Sequence, residues 1–241
     1  MMLRIPMIVG ILSGIIVFQI VFSLLALKKT TTISRELIAK AVPFRLVSTN
    51  PNLAVLILGD STAVGVGANQ SSESLPALFA QHVGATMVEN YASSGATVGE
   101  LSSQIAYAAR SHYQYIVVQI GANDVTGFHA AGNTARLLEQ KLATLPAHDR
   151  LVVLMAGNIG AAPAIPWFLK AYMRRQSVRF HAAFRVVVAA QGGTYVDLYD
   201  PPDTDPFIRD PLEYFAPDGF HPSSLGYKLW FEKLKAALSG T

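Results

Sequence analysis

Short runs of apolar residues alternate along the chain with longer stretches in which apolar residues recur every three or four positions. Continuous apolar runs bounded by Gly, Asn, Asp or Ser are typical of strands buried on both faces of a parallel sheet. Five such runs follow residue 52, at residues 53–58, 86–92, 115–120, 150–156 and 194–199. Helical periodicity separates them, at residues 73–83, 97–110, 134–145, 167–190 and 223–238. This alternation predicts one α/β domain, doubly wound around a sheet of about five mostly parallel strands.

Two of the predicted helices carry start signals. Thr97 is followed three residues later by Glu100, which is the spacing of a capping box. Ser223 or Ser224, directly after Pro222, can cap the last helix. Both signals support the helices on grounds that are independent of the apolar periodicity.

The first part of the chain departs from this pattern, because residues 5–27 contain no charged residue in 23 positions. A helix of that length reaches about 34 Å, enough to cross a hydrocarbon core of about 30 Å. We therefore expect a transmembrane anchor, or an uncleaved signal segment, over residues 1–28. A cleaved signal peptide would need small residues behind its apolar core, where the sequence "SLLALKKTTT" is bulky. A helix buried in the core is a third interpretation, but it would show a polar face.

Charge is unevenly distributed along the chain. Residues 1–45 hold six basic residues and one acid, whereas residues 46–241 hold 13 basic and 15 acidic residues. The basic charge therefore belongs to the membrane-flanking part of the chain, which includes a basic connector over residues 29–52, and no nucleic-acid-binding surface is expected. Five of the six basic residues follow the apolar segment, and the positive-inside rule then favours a cytoplasmic location for a domain at residues 53–241. The sequence has no cysteine, which excludes disulfides and thiolate metal sites.

Candidate chemistry lies where the predicted strands end. The first strand runs into Gly59-Asp60-Ser61, the second leads to Gly95, and the third leads to the segment 121–124, "GAND". The carboxyl ends of parallel strands meet at one edge of the sheet, where open α/β folds place their sites. The segment 218–222, "DGFHP", precedes the last helix and can return to the same edge.

This set of residues is complete for acyl transfer. Ser61 would be the nucleophile, His221 the base that takes its proton, and Asp218 the acid that orients the imidazole. The backbone N–H groups of Ser61 and Gly95 and the side-chain amide of Asn123 would form the oxyanion hole. Each such donor is worth about 3 kcal/mol of the barrier. Neither a metal nor an organic cofactor is expected, because the sequence contains no P-loop, G-x-G-x-x-G or H-E-x-x-H pattern.

The same motifs resemble those of the SGNH, or GDSL-type, hydrolases. The segments "LILGDSTAVGVGA", "SSGAT", "GAND" and "DGFHP" are similar to four of the family's sequence blocks and occur in the family's order. The resemblance covers residues 54–222 and leaves out the apolar segment. It implies the family's flavodoxin-like, three-layer αβα sandwich. Thr62 stands where the family commonly has leucine, which we expect to alter packing or substrate shape.

The resemblance also assigns residues. It implies that Ser61, Gly95, Asn123 and His221 are the four residues that give the SGNH family its name, and that Asp218 is the acid of the triad. The expected function is hydrolysis of carboxylic esters through an acyl-enzyme, with no cofactor.

The substrate is open at this point. A membrane tether favours lipid or lysophospholipid-like acyl esters, and the apolar residues 157–174 could line an acyl pocket or form a lid. An O-acetyl esterase or an acyltransferase acting on a cell-envelope glycan is the alternative. A non-catalytic binding module would have no need of all five residues together.

Other polar residues are expected to have structural roles. Asp60 and Asp124 adjoin the site and should hold the loops in shape. The remaining histidines, at positions 82, 112, 129, 148 and 181, have no acid at a convincing spacing and are expected at the surface or in packing. Residues 197–213, rich in acids and prolines, are expected to form a solvated loop and not a calcium site.

Overall fold

In the part of the chain that the structure describes, five parallel strands form one sheet, as the alternation predicted. They are arranged in the order β2-β1-β3-β4-β5, and every neighbouring pair is parallel. All six positions of β1 are buried, which explains its unbroken apolar run. The strands are β1 Ala54–Gly59, β2 Met87–Asn90, β3 His112–Gln119, β4 Ala147–Leu154 and β5 Thr194–Val196.

The computed structural model describes residues 30–239 together with Val17, Gln19 and Lys28. The predicted transmembrane segment, residues 5–27, lies outside the described residues apart from Val17 and Gln19. Within the described part of the chain, no helix combines the length and the apolar character that crossing a membrane requires.

Helices cover both faces of the sheet. α2 and α9 contact each other on one face, and α5 and α6 contact each other on the other, so the domain has three layers. The helices are α1 Ser61–Val64, α2 Leu75–Val83, α3 Leu101–Ile105, α4 Ala122–Thr126, α5 Ala131–Leu142, α6 Trp167–Ala190, α7 Pro206–Arg209, α8 Pro211–Tyr214 and α9 Ser224–Ser239. Short 3₁₀ turns occur at Ser71–Glu73, Val98–Glu100 and Ile159–Ala161.

Both predicted caps are present. The Thr97 hydroxyl and the Glu100 carboxylate form a capping box, although the helix predicted over residues 97–110 is shorter than expected. It consists of a 3₁₀ turn followed by the five residues of α3. Ser223 accepts a hydrogen bond from the backbone N–H of Gly226 and so caps α9.

The prediction of a solvated loop over residues 197–213 is wrong for part of that segment, because α7 and α8 lie within and just beyond it. Pro206 and Pro211 occupy the first positions of these helices, where a missing N–H costs no hydrogen bond. The Asp205 carboxylate caps α7 by accepting from Phe207 N. Acids and prolines therefore start two short helices here.

The predicted connector is helical at residues 30–40 and then reaches the sheet. Leu46 forms an isolated antiparallel bridge with Val88 on the edge strand β2. The Arg45 guanidinium donates two hydrogen bonds, of 3.1 and 2.8 Å, to the carbonyl of Asn90. The residues just before the predicted domain boundary thus cover an edge strand that would otherwise be exposed.

Candidate active site

Ser61 stands at the sharp turn between β1 and α1. Gly59 precedes this turn with φ of +144°, and a Cβ there would lie 1.9 Å from the carbonyl oxygen of Gln119. Only glycine fits a position that combines positive φ with so close an approach. Asp60 then caps α1, accepting hydrogen bonds from Thr62 N at 2.9 Å and Thr62 Oγ1 at 2.6 Å. Ser61 is consequently the first residue of α1.

A buried glutamine outside the recognised sequence motifs holds the same turn. Gln104 accepts from Gly59 N at 2.7 Å through Oε1 and donates to Gly59 O at 2.8 Å through Nε2. Its amide pairs with the end of β1 as a neighbouring strand would. A polar residue on the buried face of a predicted amphipathic helix is the signal that could have identified it.

The structure brings Ser61, His221 and Asp218 into one hydrogen-bonded line. His221 Nε2 lies 2.8 Å from Ser61 Oγ, and His221 Nδ1 lies 2.6 Å from Asp218 Oδ2. All three side chains are buried. This geometry matches the relation of nucleophile, base and orienting acid in a catalytic triad.

Asp218 is held by its own loop. Its Oδ1 atom accepts from Phe220 N and His221 N, both at 3.0 Å. Burial by itself would raise the pKa of Asp218, but the hydrogen bond and charge of His221, with these backbone donors, lower it. Asp218 is therefore an anion at neutral pH and can stabilise an imidazolium.

The loop that carries His221 is attached to the rest of the site at close range. Ala216 N donates to His221 O at 2.8 Å, which closes the turn around Asp218. Gly67, with φ of +96°, passes so close that a Cβ would lie 2.3 Å from the carbonyl of Pro222. The loop after α1 thus packs directly against the loop that carries His221.

Gly95 and Asn123, the two other predicted site residues, are linked through one carbonyl. Asn123 Nδ2 donates to Ala96 O at 2.9 Å, which anchors the amide and leaves its second N–H for another acceptor. Gly95 has φ of +85°, and no atom of the described residues lies within 4 Å of the position where its Cβ would be. The left-handed backbone, and not crowding, is what favours glycine here.

Asp60 and Asp124 hold loops, as expected from their positions. Asp124 Oδ2 accepts from Val98 N at 3.0 Å and ties the Gly95 loop to α4. Burial raises the pKa of Asp60 to about 6 against the opposing hydrogen bonds from Thr62. The described contacts of Asp60 do not include a hydrogen bond to His221.

Comparison with known proteins places the chain in a family. The model of the GDSL-like lipase/acylhydrolase family matches residues 57–229, which is most of the chain. The chain belongs to the GDSL-like lipase/acylhydrolase family. It is 30% identical over 193 residues to a GDSL-like esterase of Mycobacterium tuberculosis. That match covers 76% of this chain and 61% of the relative, so the chain spans less than two thirds of the relative's length.

Solved structures show that this GDSL-like family member shares a fold with known hydrolases. An extracellular lipase from Streptomyces rimosus has a TM-score of 0.54 at 20% identity, with 77% of this chain and 99% of that chain covered. An acetylxylan esterase from Geobacillus stearothermophilus has a TM-score of 0.54 at 17% identity, covering 79% and 96%. Family and fold together support an ester-bond hydrolase.

A small cavity opens beside Ser61 in this GDSL-like protein, with a volume of about 40 Å³. Its walls are mainly apolar and aromatic, and they include Leu198, Phe207, Phe215, Phe220 and Trp230. Thr62, the departure from the family pattern, also lines it. Gly157, Asn158, Ile159 and Ala162 contribute a further wall, so the first part of the segment 157–174 lines the cavity, whereas residues 167–174 belong to α6.

One side of the cavity is polar. Asn158 and Asp205 are both buried and both line it. Burial raises the pKa of Asp205, and the neighbouring Asn158 amide opposes this rise, although neither polar atom of that amide makes a hydrogen bond of regular geometry within the described residues. A buried amide without full hydrogen bonding is costly unless a bound group satisfies it.

Three of the other histidines pair with an aspartate, although the sequence showed no acid at a convincing spacing. His112 lies 2.9 Å from Asp149, His129 lies 3.1 Å from Asp124, and His181 lies 3.0 Å from Asp197. Asp149 and Asp197 lie far along the chain from their histidines, on other elements, so spacing in the sequence could not reveal these two pairs.

Proposed function

We propose that the chain is a serine hydrolase that cleaves carboxylic esters through an acyl-enzyme. Ser61 Oγ attacks the ester carbonyl while His221 Nε2 takes the hydroxyl proton. His221 then gives this proton to the leaving alcohol oxygen. Water attacks the acyl-enzyme in the second half of the reaction, with His221 again the base.

The hydrogen-bonded line from Ser61 Oγ through His221 to Asp218 carries this proposal. Its distances of 2.8 and 2.6 Å lie within the reach that proton transfer needs. Asp218 keeps the proton of the neutral imidazole on Nδ1, so that Nε2 is free to accept from Ser61.

The oxyanion hole is proposed to consist of the backbone N–H groups of Ser61 and Gly95 and the Asn123 amide. Ser61 N is a free donor at the start of α1, because the first N–H groups of a helix have no partner within it. The hydrogen bond from Asn123 to Ala96 O orients the amide before substrate binds. Donors fixed in advance need no reorganisation when charge develops on the carbonyl oxygen.

Cavity size favours a short acyl group. A volume of about 40 Å³ holds roughly three groups of the size of water, at about 10–15 Å³ each. An acetyl or butyryl chain fits this space better than the long acyl chain of a lipid. Of the substrates that the sequence left open, the geometry therefore supports an O-acyl ester with a short chain over a lysophospholipid.

The proposal also covers where the enzyme is located and which molecule accepts the acyl group. Residues 5–27 would anchor the enzyme in a membrane, and the charge bias would put the domain on the cytoplasmic side. Ser61, His221 and Asp218 could also pass the acyl group to an alcohol instead of to water. Hydrolysis is the simpler assignment, because it needs no further binding site.

The test uses the purified full-length chain, p-nitrophenyl esters from acetate to palmitate, and a fluorophosphonate that labels active serines. We expect turnover that is highest between acetate and butyrate, and mass addition at Ser61. The Ser61→Ala variant should show neither. Labelling without turnover would favour transfer to another acceptor, and no labelling of a folded protein would contradict the proposal.

A further inference from the structure

An exposed surface at the amino end of α6 combines aromatic side chains with cations. We call it the α6 surface, and it consists of Phe128, Trp167, Phe168, Tyr172, Arg175 and Arg179. We propose that the α6 surface docks on an anionic lipid surface and so turns the mouth of the candidate site towards that surface. The proposal goes beyond the esterase assignment and does not depend on it.

Aromatic exposure is the first observation. Phe128 is 56% exposed and Trp167 is 55% exposed, and Phe168 and Tyr172 are also exposed. The rings form two pairs, with centroids 5.6 Å apart for Phe128 and Tyr172 and 5.8 Å apart for Trp167 and Phe168. Four neighbouring aromatic residues at a surface mark an interaction site rather than scattered exposure. Trp and Tyr are the residues enriched at the boundary between lipid and water.

Phe128 reaches this surface from another element. It lies in the loop between α4 and α5 and is the only described residue other than glycine with positive φ, at 60°. This backbone conformation is disfavoured for an aromatic residue. Burial of the ring does not offset the cost, because Phe128 is exposed.

Charge is the second observation. α6 contains five basic residues and no acid, although residues 46–241 as a whole have more acids than bases. Arg175 follows Tyr172 by three residues and Arg179 follows Arg175 by four, so the three lie on one face of the helix. Neither arginine makes an ion pair within the described part of the chain. A patch of free cations beside aromatic rings is complementary to anionic headgroups over an apolar layer.

Position relative to the candidate site is the third observation. Phe128 follows Asn123 by five residues, and Trp167 follows the cavity residue Ala162 by five. Ala164 lies between Ala162 and Trp167, and its backbone N–H donates at 3.0 Å to the carbonyl of Gly219, in the loop that carries His221. The α6 surface therefore adjoins the loops that border the site. Docking would bring the site close to ester substrates attached to the same lipid surface.

The two tryptophans of the chain allow a direct test. Trp167 is exposed, whereas Trp230 is 5% exposed and lines the cavity. The full-length protein is reconstituted in phosphatidylcholine vesicles with or without phosphatidylglycerol, with bromine atoms on the acyl chains as a short-range quencher. We expect Trp emission to be quenched when the anionic lipid is present, and the Trp167→Phe variant to lose this quenching while Trp230 still emits.

Matched variants separate charge from aromatic contact. The Arg175→Gln/Arg179→Gln variant should lower the docking equilibrium roughly 25-fold, at about fivefold per charge. The Arg150→Gln/Lys228→Gln variant removes two exposed cations elsewhere and should leave quenching unchanged. Phe168→Ala should weaken quenching, whereas Tyr107→Ala, at an exposed aromatic residue at the end of α3, should not.

Three results would overturn the proposal. The first is Trp167 emission that does not respond to brominated lipid in anionic vesicles. The second is equal quenching in neutral and anionic vesicles. The third is a blue shift of Trp167 that depends on protein concentration without quenching by lipid, which would assign the surface to contact between copies of the chain.

Discussion

Two buried histidines in this protein each face an aspartate, and only one of them belongs to the candidate site. His221 and His181 are both 3% exposed. The Nδ1 atom of His221 lies 2.6 Å from Asp218, and that of His181 lies 3.0 Å from Asp197. A histidine–aspartate pair is therefore not by itself a mark of catalysis.

The difference lies on the other side of each ring. His221 Nε2 faces the hydroxyl of Ser61 at 2.8 Å, whereas His181 Nε2 faces the carbonyl of Ala156 at 3.2 Å. A hydroxyl can give up a proton and become a nucleophile, but a carbonyl can only accept a hydrogen bond. His181 thus joins α6 to the end of β4 and supports the wall of the cavity.

The two carboxylates also differ in their surroundings. Asp218 is fully enclosed, whereas Asp197 is partly exposed and additionally pairs with Arg185. Burial alone would raise the pKa of Asp197, but the hydrogen bond and charge of His181, with Arg185, lower it to about 2. Asp197 therefore forms a structural ion pair that remains charged over the working range of pH.

Among substitutions around the His221–Asp218 and His181–Asp197 pairs, removal of the nucleophile beside His221 should give the largest loss of activity. We expect Ser61→Ala to lower kcat on the order of 10⁶-fold, because the group that forms the acyl-enzyme is lost. Steady-state turnover of p-nitrophenyl acetate measures this, and an unchanged circular dichroism spectrum shows that the fold persists. Turnover within tenfold of the parent would contradict the assignment of Ser61.

Matched substitutions in the two aspartates compare the pairs directly. Asp218→Asn should lower kcat roughly 10⁴-fold, since the amide stabilises the wrong tautomer of His221. Asp197→Asn should change kcat only a few fold. Asp60→Asn is the second control, because Asp60 adjoins Ser61. If Asp60→Asn or Asp197→Asn were as damaging as Asp218→Asn in a folded protein, the choice of triad acid would be wrong.

Loss of the Asn123 amide should have the next largest effect. We expect Asn123→Ala to lower kcat about 10²–10³-fold with little change in KM, because the lost donor acts on the developing oxyanion. The split between kcat and KM measures this. A change confined to KM would mean that Asn123 binds substrate in the ground state only.

Asp60 shows what a buried carboxylate does without a histidine partner. Its pKa is about 6 in the folded protein against 3.8 unfolded, so the folded state binds more protons between these values. Its contribution to stability is present below about pH 4 and is lost as pH rises through 6, a change of up to about 3 kcal/mol. Urea unfolding from pH 4 to 7 should show a flatter dependence for Asp60→Asn than for the parent. An identical pH dependence would contradict the raised pKa.

Substitution of His181 should affect stability more than catalysis. His181→Gln loses bonds to Ala156 O and to Tyr195 Oη, the latter at 2.7 Å, and should cost roughly 1–3 kcal/mol. Urea unfolding measures this, and kcat should stay within a few fold of the parent. A large loss of kcat at unchanged stability would show that His181 takes part in the chemistry.

Much of the fold was predictable from local patterns. The five buried strands and the main helices follow from apolar periodicity, although α1, α4, α7 and α8 were missed. Each of these four helices has only four or five residues, which is too short to show a period of 3.6. Asp205 and the prolines after it suggested a loop, because the same residue types begin short helices and form turns.

The candidate site divides in the same way. Ser61, Gly95 and Asn123 could be proposed as site residues from their types and their places after predicted strands, and Asp218 and His221 from their place before the last helix. Gln104 was missed because its amide serves a backbone turn 45 residues away, although its place on the buried face of a predicted helix was a signal. The pairing of His181 with Asp197 was missed because the two lie on separate elements.

The sequence by itself determined the order of strands and helices and the residue types available for chemistry, because apolar periodicity and side-chain chemistry are local properties. Only the tertiary structure decided that His181 pairs with Asp197, how small the cavity beside Ser61 is, and that Phe128 joins the start of α6. These features depend on distances between residues far apart in the chain, which are set when the sheet and its helices pack together.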